Sequence, residues 1–130
     1  MDKKSFTLVE LILVIIVVGI IATFAIPGFF GLKQRAEGRQ ASAQLRLIHT
    51  AEKIKHLESD FYVECDDFAA CNTVLDLDLP DDTWIYYVVC VGDCADDFET
   101  TTTNSAGTCT YTMTKDSANP SGAGCVYNPW

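Results

Sequence analysis

The 22 residues 11–32 carry no charged side chain, and few folds accommodate such a run. At 1.5 Å per residue, about 20 apolar residues in a helix span about 30 Å, the hydrocarbon thickness of a bilayer. The run is rich in Ile and Val, which are mediocre helix formers in water. In lipid the backbone must satisfy its own hydrogen bonds, and helix is then the only single-segment solution. One acid, Glu10, stands at the head of the run and is the only charge in residues 6–32. An ionised carboxylate in hydrocarbon is costly. Glu10 therefore either sits at an interface or receives a cation from a partner.

Lys3 and Lys4 precede the run and bias that end toward the cytoplasm. A secretory signal peptide offers a competing reading, with Thr23, Phe24 and Ala25 as a small-x-small cleavage site. An acid at the start of the apolar core serves nothing in a discarded signal, and the helical pattern continues past Ala25. Small residues recur at Gly19, Ala22, Ala25 and Gly28, a spacing that permits close helix approach. Pro27, with Gly28 and Gly31 beside it, is expected to kink or loosen the helix.

The string Lys4-Ser5-Phe6-Thr7-Leu8-Val9-Glu10, followed by a long apolar helix with Pro27 near its end, resembles the N-terminal signal of type IV pilins and of the pseudopilins of type II secretion. The resemblance covers about residues 3–31 and is only architectural beyond them. It implies that a prepilin peptidase cuts between Ser5 and Phe6 and methylates the new amine. Ser5 stands where the family usually has Gly. It also implies that Glu10 pairs with the terminal amine of a neighbouring subunit. Phe6, Glu10 and Pro27 become the candidate assembly residues. The physics agrees, because a buried carboxylate is tolerable if assembly supplies its cation.

Residues 33–60 keep helical periodicity but turn amphipathic. Ala43, Leu47, Ala51, Ile54 and Leu57, with Ile48 beside them, form a stripe on which a small domain is expected to pack. Lys33, Arg35, Arg39, Arg46, Lys53 and Lys55 occupy other faces. Further on, WIYYVVCV and TCTYTMT carry β-branched, aromatic or alternating patterns, and FETTTT is a weaker strand between them. The expectation is an antiparallel sheet of strands 84–91, 98–103 and 108–114 over the Leu47, Ile54 and Leu57 stripe. A short helical turn before Pro80 bridges helix and sheet, and the tail after Thr114 is turn-rich and tethered by Cys125.

All six cysteines, Cys65, Cys71, Cys90, Cys94, Cys109 and Cys125, lie beyond residue 60. An even count in a small, exportable region reads as disulfides. Sequence-near pairing, one of many connectivities, joins Cys65 to Cys71, Cys90 to Cys94 and Cys109 to Cys125. A zinc site is disfavoured: there is no CxxC and no histidine near a cysteine. His49 and His56, seven positions apart on a helix and so about 10 Å along it, read as solvated surface residues. The acids Asp76, Asp78, Asp81 and Asp82, and Asp93, Asp96 and Asp97, lack the spacing of a calcium loop. The net charge of −9 argues against a nucleic-acid partner, and no phosphate loop or nucleophile motif is present.

The resulting expectation is an α+β chain in which a long N-terminal helix packs on a small, disulfide-stapled antiparallel head. Its parts are a leader at 1–5, a transmembrane and filament-core helix at 6–32, an amphipathic half at 33–60 and a β head at 61–130. No cofactor, metal or enzymatic activity is expected. The resemblance implies a filament subunit whose partners are identical or homologous pilins, the prepilin peptidase, the assembly machinery and, before assembly, the bacterial inner membrane. Its destination is an extracellular pilus-like filament or, alternatively, a short periplasmic secretion filament. A membrane-tethered monomeric binding module is the reading from another class.

Overall fold

The computed structural model describes residues 6–81 and 83–126. Its elements are α1 (Leu8–Ser59), α2 (Phe68–Leu75), β1 (Trp84–Val91), β2 (Asp97–Asn104), β3 (Thr110–Thr114) and β4 (Ser121–Ala123). The proposed leader, with Ser5, lies outside the described residues, as does Asp82. The chain divides into two packed units, Met1–Gln34 and Arg35–Trp130.

In the first unit α1 carries its apolar side chains uncovered: Leu8, Ile12, Ile16, Ile20 and Phe24 are all exposed. Polar groups there satisfy themselves locally, as when the Thr23 hydroxyl donates to the Gly19 carbonyl at 2.8 Å. Helical structure runs through position 27, so Pro27 does not end the helix, although a proline deprives the carbonyl four residues back of its N–H.

In the second unit the sheet is antiparallel in the order β1-β2-β3-β4. Alternation puts Trp84, Tyr86 and Val88 of β1, Phe98, Thr100 and Thr102 of β2, and Tyr111 and Met113 of β3 on one buried face. The register sets Tyr86 opposite Thr102, and Thr102 opposite Tyr111. The free edge of β1 is partly occupied by the loop after α1, through a bridge between Cys65 and Val88. Three disulfides join Cys65 to Cys71, Cys90 to Cys94 and Cys109 to Cys125.

Two expectations are corrected here. The buried face of α1 consists of Ala41, Ser42, Leu45, Ile48, His49 and Glu52, not of the stripe through Ala43, Leu47, Ile54 and Leu57. Leu57 is 84% exposed and Leu45 is fully buried. Both sets obey helical spacing, but the core accepts polar and small side chains at Ser42, His49 and Glu52, so hydrophobicity alone points to the wrong face. The tail, in turn, contributes a strand. β4 pairs with β3, and its Gly122 faces Tyr111, where an added Cβ would come within 2.9 Å of the Tyr111 ring. Gly124, at φ 69°, lies against the Thr108 carbonyl, a conformation and a closeness that require glycine.

The bridging helix α2 is a full element rather than one turn. The Asp67 carboxylate accepts from Ala70 N at 2.7 Å as its N-cap, and Asp76 closes it in the left-handed region at φ 52°. Beyond it, the Asn72 side chain accepts from Leu79 N (2.6 Å) and donates to Leu79 O (2.9 Å). That pair holds the following loop against the helix.

Candidate functional site

The start of α1 gathers the residues on which assembly would depend. Thr7 precedes the first helical residue, Leu8, and Glu10 is the third. Glu10 Oε2 accepts from Thr7 N at 2.9 Å and from Thr7 Oγ1 at 2.7 Å, while Glu10 N donates to Thr7 Oγ1 at 3.3 Å. This is a reciprocal capping box, which satisfies N–H groups that a helix start otherwise leaves open. Glu10 thus has donors in its own chain, though among the described residues no cation. The Thr-x-x-Glu spacing was visible in the sequence and is the signal that would have found the cap.

Both Thr7 bonds end on Oε2, so Oε1 keeps its capacity for an incoming donor. Phe6 beside it is 78% exposed. Glu10 and Phe6 thus share one exposed end of the chain's first unit, ahead of the charge-free run 11–32. α1 is long and apolar enough to cross a membrane by length and composition.

The head holds a second set of polar groups, and these bind α1 to the end of β3 and to the loops around the sheet. His49 is buried rather than solvated, and its Nε2 lies 3.0 Å from Thr114 O and 3.2 Å from Lys115 O. Carbonyls only accept, so Nε2 carries the proton. Burial, and secondarily the Lys53 charge, lower the His49 pKa below its usual range. His56 is half-buried, with Nε2 3.0 Å from Ala95 O and its ring stacked on Tyr62 at 4.3 Å. Both histidines are structural, and the surface reading of them is corrected. Glu52 is fully buried; its Oε2 accepts from Val63 N at 3.0 Å, and Oε1 has no partner among the described residues. Desolvation raises its pKa to about 7, against the opposing effect of the Val63 N–H. The sequence offered no signal for Glu52, because its spacing fits a solvated face equally well.

Among the described residues one group could present three metal-type ligands, Glu64, Cys90 and Cys94, whose ligand atoms lie within 4.8 Å of one another. Cys90 and Cys94 are bonded to each other and offer no thiolate. Glu64 Oε1 already accepts from Cys90 N at 3.1 Å. The arrangement is a brace on the end of β1.

Comparison with known proteins bears on the helix. The family model described as "Prokaryotic N-terminal methylation motif" matches residues 1–26. Type IV major pilin protein PilA of Myxococcus xanthus is 38% identical over 60 residues, 46% of this chain and 27% of that protein. Type IV narrow pilus major component PilA5 of Thermus thermophilus is 32% identical over 66 residues, 51% of this chain and 57% of that protein. Type II secretion system core protein G of Vibrio cholerae is 30% identical over 64 residues, 49% of this chain and 44% of that protein. The similarity thus spans from about a quarter to somewhat over half the length of these relatives. No solved structure matches the chain significantly. With its exposed, acid-headed helix, the chain carries the prokaryotic N-terminal methylation motif and resembles type IV pilins and type II secretion core proteins.

Proposed function

We propose that this chain is a structural subunit, held in the inner membrane by α1 and then polymerised through α1 into an extracellular pilus-like filament. The observation that carries the reading is the uncovered apolar first part of α1, charge-free over residues 11–32, with Phe6 and Glu10 at its head, under the methylation motif. So much apolar surface is stable in lipid or against copies of itself, not in water. A subunit contact that does not close on itself produces an open helical polymer.

In this reading a prepilin peptidase removes residues 1–5. The new amine of Phe6 becomes the cation that meets Glu10 of a neighbour at Oε1, while Oε2 stays in the cap. The test is recovery of the chain in filaments sheared from cells and identified by immunoblot. Its confinement to the membrane fraction, with no sheared or periplasmic polymer, would overturn the reading.

Similarity to core protein G favours a second reading, a short periplasmic filament of type II secretion. The same shearing experiment separates the two, since a periplasmic filament stays with the cell.

A further inference from the structure

The exposed cations of the second unit share one flank, and a group of its acids lines the other. Arg35, Arg39, Arg46 and Lys53 of α1 are separated by four, seven and seven residues. These intervals are close to whole helical turns, so the four form one exposed stripe about 27 Å long. The acids of the same part of α1, Glu37, Glu52 and Glu58, lie about 100° or more round the helix from it. Arg46 Nη2 donates to Asn119 Oδ1 at 2.9 Å, which places the stripe beside the tail that follows β3. The charges in that tail, Lys115 and Asp116, offset each other. Gln44, two positions from Arg46 and so about 200° round the helix, instead meets the Tyr86 hydroxyl of β1. β1 is the edge of the sheet away from β4, and that flank is acidic. Glu64 accepts there from Cys90 N at 3.1 Å, Asp66 and Asp67 follow it, and α2, packed against β1, ends at Asp76. All four acids are exposed, while the one cation near them, Lys55, stands 3.9 Å from Glu58.

We propose that the basic stripe of α1 docks on the Glu64–Asp67 acids of a second copy of the chain. The inference rests on the polymer reading above and names a contact within it. Charge complementarity selects the occupant: a row of cations with no acid of its own helix among them faces outward on one flank, and a net negative surface faces outward on the other. Three of the four cations are arginines, whose planar forks hold carboxylates through paired hydrogen bonds. Because the two surfaces lie on opposite flanks, one pair of copies cannot satisfy both at once. The contact is therefore head-to-tail, the kind from which an open helical polymer grows. Every copy supplies one stripe and one acidic flank, so the two occur in equal number along it. Such a contact fixes orientation and register between heads more than it adds affinity.

The test treats sheared filaments of the full chain with a carbodiimide, which condenses a lysine amine with a touching carboxylate into an amide, and maps the covalent dimers by mass spectrometry. The expected product joins Lys53 of one copy to Glu64, Asp66 or Asp67 of another. Dimers linked only elsewhere, links confined to one copy, or filaments without any link would each overturn the contact while leaving the polymer reading intact. Absence of filaments from the unmodified chain would overturn both. As a second measurement, Arg35→Glu combined with Lys53→Glu should leave the melting temperature of the chain unchanged, because both side chains are exposed. The pair should lower filament yield by roughly tenfold or more, since like charges then face each other. Adding Asp66→Arg should recover part of that yield. A yield unchanged by the reversals, or not raised by Asp66→Arg, would overturn the proposal. An unchanged yield together with a lost preference of the reconstituted chain for phosphatidylglycerol over phosphatidylcholine would assign the stripe to a lipid surface instead.

Discussion

In the proposed polymer Glu10 has two neighbours, its own Thr7 and the amine of a second subunit, and substitutions can separate them. Gln is an accepted residue at the third position of a capping box, so Glu10→Gln should keep the cap, membrane insertion and head folding but remove the charge. Breaking a buried ion pair costs about 3 to 5 kcal/mol, on the order of a hundredfold or more per subunit addition. Filaments should disappear as the membrane pool rises, measured by shearing and immunoblot of the same cells, and Glu10→Asp should be intermediate. Glu52 carries the pH dependence of the head. Its pKa is raised from 4.5 to about 7, so between those values the folded chain holds a proton that the unfolded chain has released. Stability from this group is then full below about pH 4.5 and falls as pH rises toward 7. His49, lowered from 6.5, acts oppositely and loses stability as pH falls below that value. Glu52→Gln should therefore gain over the parent between pH 5 and pH 7 and hold that gain at higher pH. Urea unfolding across that range checks it, and a pH-independent difference would refute the buried acid as its source.

The faces of α1 make the clearest case of what a pattern can and cannot convey. Leu45→Ala should cost about 2 to 5 kcal/mol, as core truncations do, whereas Leu57→Ala should be close to neutral for the isolated head. Thermal melts of the two variants decide between the buried faces. The helix itself, the three longer strands and the antiparallel order were legible, because a charge-free run and period-two alternation have few other solutions. The helix's rotation was not, because Ser42, His49 and Glu52 enter the core, the last two with hydrogen bonds that no periodicity announces. Strand β4 was hidden for a different reason. Ser121, Gly122 and Ala123 have little strand propensity of their own, and they pair because Cys125 and the glycines bring the backbone onto β3. At the candidate site the Thr7-Glu10 cap was written in the sequence, while the burial of Glu52 was not.

For the whole molecule, processing and oxidation leave separate marks. The mature chain should begin at Phe6 with a methylated amine and carry three disulfides, which intact-mass spectrometry reads in one measurement. A start at Ile26 would instead identify a general secretory signal. Reduction should lower the melting temperature sharply, since a core this small is worth only a few kcal/mol and closing a loop of the length joined by Cys109 and Cys125 is worth about 3 kcal/mol on the chain-entropy model. All three disulfides lie beyond residue 60, and none touches α1. In the second unit α1 is held by packing and by hydrogen bonds such as those of His49 to the end of β3 and of His56 to the loop before β2. Under tension, a pull entering through α1 reaches the sheet across that non-covalent seam, and the seam yields before any covalent ring opens. In single-molecule stretching, reduction should leave the force of this first rupture unchanged and lengthen only the later unravelling of the head. The head would then behave as a knot of closed loops hung from a peelable strip, able to let go of its helix and seat again without breaking a covalent bond.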